Sequence, residues 1–172
     1  MVRDKLSKDA LQSIYYTLVY SHLIYCISVW GGTWSCHLKQ VEISQKRIIR
    51  AMTYAKKFDS SLPLFKSLNL LTFQNIYKLF CYLLAYKSIK NNNTHSTLEL
   101  TIDGYDTRDW NVNINLPQSH YTIMLKSFLY NVPSLWNSLP RDIKLLSKSP
   151  SNNIVQFKKK VKTLLFSSQF SI

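Results

Sequence analysis

The chain has 172 residues, 46% of them hydrophobic, which is enough to bury the core of one domain and excludes an intrinsically disordered protein. Its 22 Lys and Arg outnumber 9 Asp and Glu, and the formal net charge of +13 favours polyanionic partners such as RNA, DNA or an acidic lipid surface. Three cysteines without a C-x-x-C spacing argue against a disulfide framework and predict an intracellular protein, cytoplasmic or nuclear, without a signal peptide.

A first helix is predicted from Ser7 or Lys8 to about Trp30, before Gly31-Gly32. One face carries apolar side chains at three-and-four spacing, together with His22: Leu11, Ile14, Tyr15, Leu18, His22, Tyr25, Cys26 and Val29. The opposite face is almost as apolar: Tyr16, Val19, Tyr20, Leu23, Ile27 and Trp30. A helix that is apolar all round needs neighbours on every side, so we expect it to expose apolar surface wherever a neighbour is missing.

A second helix is predicted from Ser35 to about Lys57. At about 100° per residue its apolar side chains fall in one arc: Leu38, Val41, Ile48, Ile49, Met52 and Ala55. On the other side, cations fall within about 20° of a common direction, with Arg47 at the edge. These residues form the predicted basic stripe: Lys39, Lys46, Arg47, Arg50 and Lys57.

Two further helices are predicted before residue 91. Pro63 lies near the start of a short helix in the segment SLPLFKSLN, and Thr72 can cap a long helix from Phe73 to about Lys90. The long helix has helically spaced apolar side chains: Phe73, Ile76, Tyr77, Phe80, Leu83 and Leu84.

Residues 91–120 are predicted to be an irregular loop with at most one short strand, because Asn91-Asn92-Asn93 interrupts the pattern and no period is sustained afterwards. Residues 121–132 alternate loosely, which favours a strand or an extended packing segment. Pro133 and Pro140 then bracket residues 134–139 as a turn of helix.

A last helix is predicted from a cap at Ser151 to about Phe166. One face is apolar, with Ile154, Phe157, Val161, Leu164 and Leu165, and the rest carries the lysine cluster, Lys158, Lys159, Lys160 and Lys162. The predicted fold is therefore mainly α: a bundle-like helical region over residues 1–90, an irregular middle loop over 91–120, and an extended segment with a basic C-terminal helix over 121–172.

Metal and membrane sites are weakly indicated. Four loop acids, Glu99, Asp103, Asp106 and Asp109, do not match a calcium loop and are better explained as solvated turn residues. A zinc site of His22, Cys26, Cys36 and His37 rests on spacing alone, and packed core residues are commoner at such positions. Residues 10–38 lack formal charge and are long enough to span a bilayer, but their several polar residues argue against it.

The sequence also lacks the usual signatures of catalysis. It contains no Gly-x-Ser-x-Gly nucleophile elbow and no cysteine in an activating context. Three glycines in the whole chain leave no glycine-rich phosphate loop. We therefore predict no cofactor, no metal and no small-molecule substrate.

Four segments resemble a known family: YYTLVYSHLIYCISVWG (15–31), QKRIIRAMTYAKKFDSSLPLFKSLNLLTF (45–73), YDTR (105–108) and LWNSLPRDI (135–143). Their order and spacing are similar to the region downstream of the polymerase core in non-LTR retrotransposon reverse transcriptases of the jockey/CR1 type. The similarity runs from Arg3 to about Phe166 and is most specific in HLIYCISVWG, PLFKSL and LWNSLP. Relatives usually have Asn in place of Asp106, and we interpret Arg108 as docking against a carboxylate or carbonyl.

The resemblance implies a parent RNA-directed DNA polymerase, in which two or three carboxylates hold paired magnesium ions, usually through a Tyr-x-Asp-Asp hairpin. This sequence contains no adjacent Asp-Asp. The implied protein is a remnant of the thumb region and beyond, not a working enzyme. Its former intramolecular partner would be the missing upstream polymerase region.

In such elements the helical region after the palm is thought to grip template and primer. This implies weak, sequence-tolerant and salt-dependent binding of RNA or DNA. The residues expected to carry it are Lys39, Lys46, Arg47, Arg50, Lys56, Lys57, Lys158, Lys159, Lys160 and Lys162. The alternative is an inert or protein-interaction fragment that exposes an apolar N-terminal helix.

Overall fold

The computed structural model describes residues 6–91, 113–118, 120–147 and 153–170. In these ranges the chain is mainly helical and has no strand, which confirms the predicted fold class. The α-helices are α1 (Lys8–Ile14), α2 (Ser21–Ile24), α3 (Ile27–Trp30), α4 (Ser35–Thr53), α5 (Leu62–Ser67), α6 (Phe73–Asn91), α7 (Phe128–Asn137), α8 (Arg141–Lys144) and α9 (Ile154–Phe170). Most of the predicted 91–120 loop, with its acids and the YDTR segment, lies outside the described residues, as does the predicted cap at Ser151.

The prediction of one continuous first helix is wrong. The Ser7 side chain caps α1, which passes into a wider π-helical segment, Tyr15–Tyr20, and then into α2. The helix breaks where Tyr25 is extended and Cys26 adopts a left-handed conformation at φ 48°. The break lets α3 turn against α6, where the Trp30 ring stacks on Phe73 with centroids 5.3 Å apart.

The Gly31-Gly32 pair does more than end a helix. A Cβ at Gly31 would lie 2.5 Å from Cδ2 of Tyr77, and one at Gly32 would lie 2.7 Å from the Tyr77 hydroxyl. Contacts this short would force the neighbouring atoms apart. The two glycines therefore allow the segment after α3 to lie directly against α6.

Helix α4 ends at Thr53, four residues earlier than predicted. Tyr54 adopts a left-handed conformation at φ 57°, and its successor's amide, Ala55 N–H, donates to the Arg50 carbonyl at 3.1 Å. A turn follows in which the Lys56 amide donates to Asp59 Oδ2 at 2.7 Å. The hydrogen bonds of this turn replace those of a continued helix, so Ala55, Lys56 and Lys57 lie outside α4.

The predicted extended segment at 121–132 is also wrong, because this region is helical. A 3₁₀ turn at Met124–Lys126 leads into α7, which continues through Pro133. Proline removes one helical hydrogen bond, but Val132, Pro133 and Trp136 are buried on the face of α7 that meets the core. Their burial offsets the lost bond. Helix α9 runs to Phe170, four residues beyond the predicted end.

The long helix α6 is the centre of the molecule and matches its predicted bounds. It packs most extensively against α7 and α9, and also meets α3 and α4. In the main core the Tyr86 ring stacks on Phe157 at 4.4 Å between centroids, and Trp136 lies 6.0 Å from Phe157. Helices from the predicted regions 1–90 and 121–172 thus share one core.

A second, smaller core lies where the π-helical segment, α4 and α5 meet: Tyr15, Ile49, Phe65, Leu68 and Leu70. It is tied to α6 by Gln45, which is buried on α4. The Gln45 Nε2 atom donates to the Tyr15 hydroxyl at 2.9 Å and to the Leu71 carbonyl at 3.0 Å. The Gln45 Oε1 atom accepts from the Phe73 amide at 2.8 Å, so this glutamine caps the start of α6.

Among the helices described, none combines the length and apolarity that crossing a bilayer requires.

Candidate nucleic-acid interface

The lysine cluster lies on α9 as predicted. The buried residues Phe157, Val161 and Leu165 are spaced four apart and fix one face of the helix against the core. Three of the lysines between them are exposed, and Lys162 is half-buried. Among the described residues, no carboxylate forms an ion pair with Lys158, Lys159, Lys160 or Lys162. Within the described part of the chain, the cations of α9 are therefore not engaged by carboxylates.

The four lysines are divided between two grooves. Lys159 and Lys160 line an open groove of about 760 Å³ between α8 and α9, together with Asp142. Lys158 and Lys162 line a smaller groove of about 300 Å³ beside the π-helical segment. We call the smaller one the tyrosine groove, defined by Tyr15, Tyr16, Tyr20, Lys158 and Lys162.

The tyrosine groove has an aromatic side. The Tyr16 ring lies edge-on to Tyr15, with centroids 5.6 Å apart, and edge-on to Tyr20, at 5.4 Å. Burial raises the pKa of Tyr15 to about 12, while its hydrogen bond from Gln45 opposes this rise. Burial also raises the pKa of Tyr16 and of Tyr20. An ordinary tyrosine is already neutral at physiological pH, and burial shifts all three pKa values further in that direction.

The basic stripe is shorter than predicted. Lys39, Lys46 and Arg50 remain on α4, but Lys57 lies in the turn after it, with its Nζ atom 5.7 Å from the Phe58 ring centroid. The Arg50 Nε atom donates to the Asp59 carbonyl at 2.9 Å. Glu42 lies in the same groove as Lys46 and places a carboxylate beside the stripe.

The remaining predicted cations are surface residues. Arg47 is exposed on α4, and Lys56 is exposed in the turn that Asp59 closes. The structure thus brings Lys158 and Lys162 together with three tyrosines, and places the other predicted residues in separate surroundings. Sequence reasoning missed Tyr16 and Tyr20 because they were assigned to an apolar helix face, whereas Tyr15 is indeed a core residue. The available signal was the tyrosine-rich segment 15–20 together with a lysine-rich helix elsewhere in the chain.

The proposed zinc ligands are not assembled. His22 and Cys26 do not share a helix, because the chain breaks at Tyr25 and Cys26. In the described part of the chain, no group of three His, Cys, Asp or Glu side chains is placed to hold a metal ion.

Two of the segments that carry the family resemblance, LWNSLP and PLFKSL, contribute residues to the cores. In LWNSLP, Trp136 and Leu139 are buried, and the Asn137 side chain exchanges two hydrogen bonds with the Ile114 backbone, at 2.9 and 2.7 Å. In PLFKSL, Phe65 and Leu68 belong to the second core. These two segments contribute to packing, whereas the resembling segment 15–31 supplies the tyrosines of the tyrosine groove.

Comparison of this chain with protein-family models, with curated proteins and with solved structures gives no match.

Proposed function

We propose that this chain is a non-catalytic, nucleic-acid-binding helical domain derived from the region after the palm of a non-LTR retrotransposon reverse transcriptase. The observation that carries the binding proposal is helix α9, which presents four lysines around its buried face, three of them exposed and Lys162 half-buried. Each exposed lysine can neutralise a phosphate and release a counterion. Binding is then electrostatic, tolerant of sequence and steeply dependent on salt.

The charge balance around α9 supports this proposal. The described residues include eighteen Lys and Arg side chains and four Asp and Glu side chains. Helix α9 itself carries no acidic residue. A polyanion approaching α9 meets one carboxylate, Asp142, in the groove of Lys159 and Lys160, and the field of the whole molecule attracts it.

The same proposal places the protein in the cytoplasm or nucleus and assigns it no catalytic activity. The three cysteines are free, and Cys26 and Cys36 are exposed, which suits the reducing cytoplasm or nucleus. The sequence contains no adjacent pair of aspartates for two-metal chemistry. Primer extension by the purified chain with magnesium present would contradict the non-catalytic part of the proposal.

Fluorescence polarisation with a labelled RNA tests the binding. We expect binding at about 50 mM salt and release near physiological salt. Replacing Lys158, Lys159, Lys160 and Lys162 by glutamine should weaken binding by about tenfold or more. The matched control removes four lysine charges elsewhere, at Lys8, Lys78, Lys87 and Lys126. It should lose less RNA-binding affinity than the α9 variant. Absence of binding at about 50 mM salt, or equal losses in the two variants, would reject the proposal.

A second candidate function is protein interaction through the first helical segments. Leu18, Tyr25 and Val29 are 61%, 76% and 62% exposed, on the face that the sequence predicted to be apolar. No formal charge lies between residues 10 and 38, so a partner would have to present apolar surface in turn. Gel filtration separates the candidates: a soluble monomer favours nucleic-acid binding, whereas self-association that Leu18→Ser and Val29→Ser abolish favours protein interaction.

A further inference from the structure

The tyrosine groove combines aromatic rings, an apolar floor and two cations in one small space. The first helical segments contribute Tyr16 and Tyr20, and α9 contributes Lys158 and Lys162. Aliphatic side chains complete the lining: Leu70, Leu71, Ile76 and Leu79. A volume of about 300 Å³ lies at the lower end of the range for small-ligand sites. The groove therefore suits one flat, largely apolar group that carries an adjacent negative charge.

The Tyr16 ring is held in place while part of it stays accessible. Its side chain is 41% exposed, and its two edge-on neighbours limit its rotation. Tyr15 is buried and fixed by the hydrogen bond from Gln45. A ring supported in this way can stack on an incoming base with little loss of conformational freedom.

The π-helical segment is a separate indication that this place has a function. Wide helical turns of this kind occur often at functional sites. In a π-helix, residues five apart lie one turn apart, so Tyr15 and Tyr20 can face the same groove. In an ordinary α-helix, at about 100° per residue, they would be about 140° apart.

We propose that the tyrosine groove accepts an unpaired base of a single-stranded nucleic acid, which stacks on Tyr16 while Lys158 and Lys162 hold the flanking phosphates. This inference rests on the proposed function of the α9 lysines and adds a preference for single strands over duplexes. Bases in a duplex are already stacked inside the helix, so a duplex reaches only the lysines. Stacking on an aromatic ring accepts every base, so the preference is for strandedness and not for sequence.

The test compares two variants of Tyr16 with a control tyrosine. Tyr16→Ala removes the ring, Tyr16→Phe retains it, and Tyr25→Ala removes a 76% exposed tyrosine outside the groove. Binding of a single-stranded RNA and of a duplex RNA of the same length is measured by polarisation at about 50 mM salt. Tyr16→Ala should weaken single-strand binding by about tenfold, and duplex binding by less than about twofold. Tyr16→Phe and Tyr25→Ala should bind as the wild type does.

Circular dichroism shows whether Tyr16→Ala is folded. If it is not, Tyr16→Leu replaces it, since leucine keeps apolar contact without an aromatic face, and the same loss of single-strand binding is expected. Undiminished single-strand binding overturns the groove inference but leaves the proposed function standing, provided that the four-lysine variant still loses affinity. Equal losses on both RNAs also overturn it, because they assign Tyr16 a structural role. Failure of the wild type to bind either RNA overturns both proposals.

Discussion

Helices α4 and α9 carry similar charge but use it differently. Each has four cations, and α4 has one carboxylate, Glu42, where α9 has none. On α4 the Arg50 guanidinium bonds to the Asp59 carbonyl, and Glu42 accepts from Gln74 Nε2 at 2.7 Å. On α9, Lys159 and Lys160 share a groove with Asp142 but form no ion pair with it, and Lys158 and Lys162 line the tyrosine groove.

This difference shows that a row of cations in a sequence is not yet a binding surface. What matters is whether neighbouring elements supply carboxylates or carbonyls to the same cations. The principal role of α4 is structural, because Gln45 joins the second core to the start of α6. Helix α9 also packs through Phe157, Val161 and Leu165, and under the proposed function its lysines supply the charge for binding.

The largest expected effect tests the structural role of α4. Gln45→Leu fills similar space but leaves the Phe73 amide and the Leu71 carbonyl without their partner. We expect a loss of about 3 kcal/mol in the free energy of unfolding, measured by urea denaturation. Gln40→Leu, at an exposed position on the same helix, should change it by less than about 0.5 kcal/mol. Equal stability of wild type and Gln45→Leu would remove the distinction between the two helices.

A smaller effect is expected at alkaline pH, through Tyr15. Because its pKa is raised from 10.0 to about 12, the folded state keeps a proton that the unfolded state releases in this interval. The contribution of Tyr15 to the free energy of unfolding is complete below about pH 10. It decreases by about 2–3 kcal/mol in all as the pH rises toward 12.

Urea denaturation between about pH 8 and pH 11 measures this dependence. Tyr15→Phe cannot ionise, so its free energy of unfolding should fall less steeply with pH than that of the wild type. It should also be about 1 kcal/mol less stable near neutral pH, since it loses the hydrogen bond from Gln45. Parallel pH profiles for the two proteins would show that Tyr15 titrates normally.

The smallest expected effect compares the surface charges of the two helices directly. Lys39→Gln with Arg47→Gln on α4, and Lys159→Gln with Lys160→Gln on α9, each remove two exposed cations. The magnitude of the slope of log K against log salt for single-strand binding should fall by about 1.4 in the α9 variant. It should stay nearly unchanged in the α4 variant. A larger reduction from the α4 pair would place the interface on α4 instead.

Local patterns in the sequence predicted the elements whose own residues determine them. The bounds of α6, the proline-started α5 and the face of α9 with Phe157, Val161 and Leu165 are confirmed. Phe128, Val132 and Trp136 also have helical spacing, but Pro133 was interpreted as a helix boundary. In the structure, α7 continues through Pro133 because this face is buried in the core. Gln45 has no local signature, because its partners lie 26 to 30 residues away in the chain.

Only the charged residues of the candidate site could be predicted from the sequence. The lysines of α9 follow from the sequence, whereas the tyrosine groove depends on a break at Cys26 and a wide turn at Tyr15–Tyr20. The break accompanies the packing of α3 against α6, and the wide turn accompanies the packing of Tyr15 against α4 and α5. Hydrophobic spacing within one segment does not reveal such long-range packing.

The wide turn also determines how the beginning of the described chain is attached. Gln12 Nε2 donates to the Leu68 carbonyl at 3.0 Å, and Lys8 Nζ donates to the Ser67 carbonyl at 3.3 Å, so α1 is secured to the end of α5. Deleting a single residue from the segment would rotate everything before it by about 100°. Gln12 and Lys8 would then point away from α5. The orientation of α1 about its own axis therefore depends on the wider turn of the π-helical segment that follows it.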